Sequence, residues 1–95
     1  MDRDLSEKMA KVLKAIAHPE RLRIIEILTG GEMNVTEIIK QLGDSQSLTS
    51  QHLNQLTDKR ILSHRRYGQF VYYKIANRDV LKILKCLYRH CNQQV

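Results

Sequence analysis

The chain has few of the residues that mark secreted, membrane-bound or disulfide-linked proteins. Its 95 residues include no tryptophan, one phenylalanine and two cysteines. Two thiols without a secretory signal suit a reducing cytoplasm, and the first four residues do not resemble a signal peptide. No apolar run approaches the roughly 20 residues that a membrane-spanning helix needs. We therefore expect a cytoplasmic protein with no membrane partner.

Catalytic residue sets are also missing from the sequence. It has no paired carboxylates, no glycine-rich phosphate loop, and no nucleophile with a base and an orienting group. We therefore expect no enzymatic activity. No repeat or low-complexity linker divides the chain, and the single proline, Pro19, separates two helical patterns. We expect one domain, residues 1–95, with one modest core.

Positive charge is in excess. Sixteen lysines and arginines against ten acidic residues give a formal net charge of +6, which suits a polyanionic partner such as nucleic acid. An acidic membrane surface would attract the same charge. However, no segment combines an apolar face with a basic face and interfacial aromatics. The charge therefore favours DNA over a membrane.

A polar helix is predicted to begin after Ser45, which is a suitable N-cap. At helical spacing, one side holds Thr49, His52, Leu53 and Leu56. The remaining side is polar but almost uncharged, unlike a solvated surface helix. Short polar side chains can donate to and accept from base edges in the major groove of DNA. The candidate DNA-binding residues here are Gln46, Ser47, Leu48, Ser50, Gln51 and Asn54.

A basic β-hairpin is predicted over residues 61–75, with a turn at Gly68-Gln69. The alternating residues expected to face the helices are Val71, Tyr73 and Ile75. Side chains near the tip could reach phosphates or a minor groove. These candidates are Arg65, Arg66 and Gln69. A polar helix beside a basic hairpin predicts a winged helix-turn-helix.

Helical spacing of apolar residues predicts three further helices. Their ranges are 5–17, 20–29 and 78–92. A short strand is predicted at residues 33–35, and Thr36 is expected to cap a helix ending near Leu42. The helix-turn-helix is thus expected over 36–58 and the wing over 61–75. The predicted fold is mainly α with a β-hairpin wing, in the order α-α-(β)-α-α-β-β-α.

The first and last helices carry more apolar residues than one small core can cover. A homodimer interface formed by both helices would bury the excess. A two-fold dimer would place the DNA-binding polar helices of its two subunits about one helical turn of DNA apart. The expected partners are therefore a second copy of the chain and double-stranded DNA with a palindromic operator. The candidate interface residues are Leu5, Met9, Val12, Ile83 and Leu87.

Three stretches together resemble the ArsR/SmtB family of small bacterial winged-helix repressors. Residues 14–24 are similar to its LKALAHPxRLRIL segment, residues 45–53 to its recognition helix SQSxxSQHL, and residues 65–73 to its wing RREGRxVYY. The resemblance implies a homodimeric repressor at the bacterial nucleoid. It also implies that the repressor leaves a palindromic operator when an effector binds.

The family's usual metal and metalloid sites have no match. One site uses cysteines at the start of the third helix, where residues 32–38 have no thiol. Another uses histidine and glutamate on the last helix, where Leu81, Asn92 and Val95 stand instead. Some members sense oxidants through a cysteine in the second helix, and residues 20–29 have none. We therefore expect no cofactor of the standard kind.

Three candidate effector residues remain on the last helix: Cys86, His90 and Cys91. One ion could bridge Cys86 and His90, but a zinc site needs about four ligands, so a partner subunit would have to supply the others. Cys86 and Cys91 point roughly 140° apart on a helix, which prevents an intrachain disulfide without unwinding. Three interpretations stay open. The thiols are inert, or thiol chemistry or a ligand at this helix releases the protein from DNA, or the residues form part of a non-standard metal site.

The orientation of Leu48 and the class of partner also stay open. The position that is usually apolar in the family's recognition helix holds Thr49, so Leu48 either points outward to a thymine methyl or is buried by a small rotation. The chain could also be a winged-helix module that binds proteins. Protein interfaces prefer aromatic and aliphatic anchors to serines and glutamines, which favours a sequence-specific DNA-binding repressor.

Overall fold

The computed structural model describes residues 1–93 and places five helices and three strands in them. In chain order these are α1 (Arg3–Ile16), α2 (Pro19–Leu28), β1 (Met33–Asn34), α3 (Val35–Leu42), α4 (Gln46–Asp58), β2 (Leu62–Tyr67), β3 (Phe70–Ile75) and α5 (Arg78–Asn92). This order confirms the predicted winged helix-turn-helix class. No helix in residues 1–93 has the length and apolar character needed to cross a membrane.

The third helix begins earlier than predicted. Its N-cap is Asn34 and not Thr36, so the strand ends at Asn34 and the helix starts at Val35. The Asn34 side chain accepts from the Glu37 backbone N–H at 2.9 Å, and Glu37 Oε1 accepts from the Asn34 N–H at 3.1 Å. This reciprocal capping box satisfies two backbone N–H donors. If Thr36 were the cap, both donors would lack these partners.

Capping also sets where the first two helices begin and end. Asp2 accepts from the Leu5 N–H at 2.8 Å, and α1 therefore starts at Arg3, before the predicted residue 5. The first two helices each end one residue before the predicted end, at Ile16 and Leu28. Pro19 occupies the first turn of α2, where a missing N–H costs no hydrogen bond.

The predicted N-cap of α4 is confirmed, and a turn at Gly43 precedes it. Gly43 has φ +80°, a left-handed conformation that glycine adopts without a steric penalty. The Ser45 hydroxyl accepts from the Leu48 N–H at 3.1 Å. These two residues turn the chain from α3 into α4.

The wing belongs to an antiparallel sheet with strand order β1-β3-β2. Arg66 pairs with Val71, and Arg65 pairs with Tyr72, so successive pairs occupy opposite faces. Tyr73 is buried, while Val71 and Ile75 pack half-buried against the core, which confirms the predicted inner face. The short strand β1 pairs with β3 and anchors the base of the wing to the helices.

The core lies between α2, α3, α4 and the inner face of the sheet. Its most deeply buried apolar side chains are Ile24, Ile25, Ile38, Leu53, Leu56, Ile61 and Leu62. The predicted inner side of α4 is confirmed, because Thr49 and His52 are buried beside Leu53 and Leu56. The rotation of α4 about its axis is thereby set by the core.

Candidate nucleic-acid interface

The polar face of α4 is open to solvent. Its exposed members are Gln46, Ser47, Leu48, Gln51 and Asn54, while Ser50 is half-buried. Leu48 is 47% exposed, so the outward orientation is correct and the buried one is wrong. The reason is Thr49, which takes the inward position and donates from Oγ1 to the Ser45 carbonyl at 2.8 Å. The helix thus presents amides, hydroxyls and one leucine.

Two histidines and an arginine fix α4 against α2. Arg21 Nε donates to His52 Nδ1 at 3.0 Å, and the His18 and His52 rings lie 4.4 Å apart. Burial lowers the pKa of His52, and the nearby His18 and Arg21 lower it further. His18 also caps α2, since its Nδ1 accepts from the Glu20 N–H at 3.1 Å. The positions of both histidines agree with structural roles in the core.

A groove of about 570 Å³ separates α4 from the wing. Gln46 and Ser50 line one side, and Gln69 lines the other. The helix α3 also lines the groove, through Val35, Thr36 and Ile39. Three of the sequence-predicted DNA-binding residues, one of them on the wing, therefore border one opening.

The two arginines of the wing are on opposite faces of the sheet. Arg66 shares the helix-facing side with Val71, while Arg65 shares the outer side with Tyr72. Arg65 forms two hydrogen bonds with Glu32, a residue that sequence reasoning did not single out. These bonds hold the pKa of the Glu32 carboxyl below its ordinary value. The pairing partners are 33 positions apart, so no local pattern reveals them.

The apolar faces of α1 and α5 remain uncovered. Leu5, Met9, Ile83 and Leu87 are between 45% and 52% exposed. Val12 differs because it is half-buried and packs against the core. The helix α5 has 15 residues, and Val80 is the one that is buried. The predicted interface residues therefore form open apolar surface on these two helices, with Val12 at its inner edge.

The candidate effector residues are on the surface of α5. Cys86 and Cys91 are free, exposed thiols. Within residues 1–93, no group of three or more His, Cys, Asp or Glu side chains could hold a metal ion. Asn92 and Val95 stand where the family's metal site has histidine and glutamate. Asn92 is the last residue of α5, and Val95 lies outside the described residues. The two cysteines differ in position, since Cys91 continues the apolar stripe of Leu84 and Leu87 at helical spacing, whereas Cys86 lies off it.

The fold and this polar face define a winged helix-turn-helix regulator that binds DNA. The family described as "Bacterial regulatory protein, arsR family" matches residues 18–64. The chain belongs to this ArsR family. Its members are DNA-binding transcriptional regulators and not enzymes, which agrees with the prediction from the sequence.

Three relatives show how far the similarity extends. The nodulation protein NolR of Rhizobium meliloti is 42% identical over 82 residues, which span 86% of this chain and 67% of NolR. The transcriptional repressor PagR of Bacillus anthracis is 43% identical over 82 residues, 85% of this chain and 82% of PagR. The homodimeric winged helix-turn-helix DNA-binding domain of a possible ArsR-family regulator from Mycobacterium bovis has a TM-score of 0.85 and 30% identity. That match covers 99% of this chain and 89% of the domain.

Proposed function

We propose that the protein is a homodimeric, sequence-specific transcriptional repressor that binds a palindromic operator in bacterial DNA. Such a role places it with the nucleoid in the cytoplasm. The observation that carries the proposal is the exposed, uncharged polar face of α4 beside the wing. Amide and hydroxyl groups at the N-terminal end of a recognition helix can read base edges, while basic groups on the wing bind phosphates.

Base reading is assigned to the exposed face of α4, and backbone binding to the wing. Gln46, Ser47, Gln51 and Asn54 offer hydrogen bonds, and Leu48 offers apolar contact to a thymine methyl. Half-buried Ser50 lies at the edge of the groove toward the wing. On the wing, Arg66 and Gln69 approach one DNA strand from the side of α4, and Arg65 would contact phosphate by leaving Glu32.

The dimer is assigned to the apolar surface of α1 and α5. Exposed leucine, isoleucine and methionine on these helices favour a covering partner, because the exposure of large apolar side chains to water is unfavourable. A second copy of the chain supplies a complementary apolar face under two-fold symmetry. The same symmetry would present two copies of α4 to the two halves of a palindrome. The homodimeric state of the M. bovis domain supports this arrangement.

Release from the operator is assigned to the last helix. Cys91 extends the apolar stripe of α5, so modification of its thiol would change the proposed dimer contact. Cys86 and His90 are further candidates, either as a second thiol site or as part of a metal site completed by the partner subunit. An altered dimer contact would shift the spacing between the two copies of α4 and thereby lower operator affinity.

A gel-shift titration with DNA from upstream of the chain's own gene tests the proposal. Gln51→Ala should cost about 1–3 kcal/mol on that operator and little on random DNA. Gln41→Ala, which removes an exposed glutamine of α3 outside the polar face of α4, is the control. Equal losses on both DNAs would make Gln51 a backbone contact. If wild-type protein does not bind the upstream DNA but does bind a protein partner, the chain is a winged-helix protein-interaction module.

A further inference from the structure

A second opening lies on the other side of α4, away from the wing. It is a pocket of about 240 Å³ between α1, α2 and the C-terminal end of α4. Its lining residues are Lys11, Lys14, Ala15, Arg21, Gln55 and Lys59. Pockets for drug-sized ligands measure about 300–1,000 Å³, so this pocket suits a smaller group. Four of its six lining side chains are cationic.

The lysines of this pocket form no ion pair within the part of the chain that the structure describes. In residues 1–93, the ion pairs involve Lys8, Arg23, Arg65 and Lys82, and none involves Lys11, Lys14 or Lys59. Several like charges around one small opening repel each other and favour a bound anion. The pocket therefore combines a concave shape with an unmatched charge, which a single solvated lysine does not provide.

Arg21 gives the pocket a fixed cationic wall. This half-buried side chain donates from Nε to His52 and from Nη1 to the Ala15 carbonyl at 3.1 Å. Two hydrogen bonds leave three of the five guanidinium N–H donors for a further acceptor. Because these hydrogen bonds already hold Arg21 in place, less side-chain conformational entropy is lost when an anion binds there. Arginine is also the residue best suited to phosphate oxygens.

The location of the pocket matches the path of a DNA strand. At about 100° per residue, Gln55 and Lys59 lie on one flank of α4 and Gln46 and Ser50 on the other, each roughly 90° from the outward face. A helix in a major groove about 12 Å wide is bordered by the phosphates of both strands. The wing lies on the Gln46 flank. The basic pocket lies on the Gln55 flank, so it would face the other DNA strand when α4 lies in the groove.

We propose that this pocket binds a phosphate group, supplied by the operator backbone on the α1 side of the recognition helix. The two flanks of α4 then each hold one DNA strand, through the wing and through the pocket. This inference rests on the proposed function, because it assumes that α4 enters the major groove. It adds a contact made by α1, a helix otherwise assigned to the dimer.

The test compares two charge-matched double variants. Lys14→Gln with Lys59→Gln removes two cations from the pocket, while Lys82→Gln with Lys85→Gln removes two cations from α5, on the side opposite its apolar stripe. The measured quantity is the slope of log affinity against log salt concentration, on operator and on random DNA. Thermal unfolding of both variants shows that each is folded.

The expected result is a slope shallower by about 1.8 for the pocket variant, since each phosphate contributes about 0.9 and a dimer has two pockets. Loss of affinity should be similar on operator and random DNA, because backbone contacts carry no sequence information. The α5 variant should keep the wild-type slope. If wild type binds the operator and both variants behave alike, the pocket inference is overturned and the proposed function stands. If wild type shows no salt-dependent DNA binding, both are overturned.

A second arm separates DNA from a free phosphate compound as the source. Inorganic phosphate is added to the protein without DNA, against sodium chloride at equal ionic strength, and the amide NMR signals of Ala15 and Gln55 are followed. Saturable shifts in wild type but not in the pocket variant support a phosphate site. If those shifts occur while the salt slope is unchanged, the site serves a free phosphate compound and the DNA assignment is overturned. If shifts and slope change are both absent, no phosphate site exists.

Discussion

Arg65 and Glu32 form a two-point ion pair, in which Nε donates to Oε2 at 3.0 Å and Nη2 donates to Oε1 at 2.7 Å. The guanidinium also lies 5.2 Å from the ring centre of Tyr72 and 5.7 Å from that of Tyr67. The pair joins the loop before β1 to β2 across β3. Arg65 is therefore engaged within the protein before any DNA arrives, whereas Arg66 forms no ion pair within residues 1–93.

Competition between Glu32 and phosphate for Arg65 gives the first prediction. Glu32→Gln should raise affinity for operator and random DNA alike and steepen the salt dependence, because Arg65 is then free to neutralise a phosphate. The readout is the salt slope from a binding titration in the wild-type and Arg65→Gln backgrounds. The gain should disappear when Arg65 is glutamine. A gain of equal size in that background would show that only the overall charge matters.

Stability should fall between neutral and mildly acidic pH because of His52. Burial, His18 and Arg21 lower its pKa below the ordinary value of 6.5, and Asp44 and Glu20 only partly oppose this. The unfolded state therefore binds more protons than the folded state, so stability rises with pH in this window. The contribution is complete above pH 6.5 and is lost as the pH falls below that value toward the lowered pKa.

Urea unfolding at pH 7.5 and pH 5.5 measures this effect, since most carboxylates stay ionised above about pH 5. His52→Gln should flatten the difference between the two pH values. His64→Gln is the control for the loss of a histidine outside the core, because His64 is exposed on β2. A pH dependence that survives His52→Gln would place the titrating group elsewhere.

The dimer should depend on the apolar stripe of α5. Leu87 is 52% exposed in the single chain, and Leu87→Glu would place a carboxylate in the proposed interface at a cost of several kcal/mol. Sedimentation should show a monomer that no longer binds a palindromic operator. Lys85→Glu, on the opposite side of the same helix, should remain a dimer. A dimeric Leu87→Glu protein would refute the assignment of α5.

Thiol chemistry should act through Cys91, because Cys91 lies on the apolar stripe and Cys86 lies off it. Treatment with diamide or polysulfide should lower operator affinity in wild type and in Cys86→Ser, but not in Cys91→Ser. The measurement is operator binding before and after treatment. An identical response of wild type and the Cys86→Ser, Cys91→Ser double variant would exclude thiol sensing.

Local features of the sequence were sufficient to predict the elements and their order. Apolar residues at helical spacing placed α1, α2, α4 and α5, a cap signal placed α3, and β-branched and aromatic residues around Gly68 placed the hairpin. Local signals also exist where the prediction was wrong, since Asn34 and Glu37 have the spacing of a capping box. Such features are readable because capping and periodicity depend on residues only a few positions apart.

The tertiary structure decided which groups meet across long stretches of chain. Leu48 points outward because Thr49 and His52 occupy the core, a choice that the sequence left open. The Arg65–Glu32 pair joins distant segments, and the basic pocket joins α1 to the end of α4. Charged side chains tolerate many surroundings, so their local sequence carries no record of their partners. Their contacts are set only when the packed core fixes the position of each helix and strand.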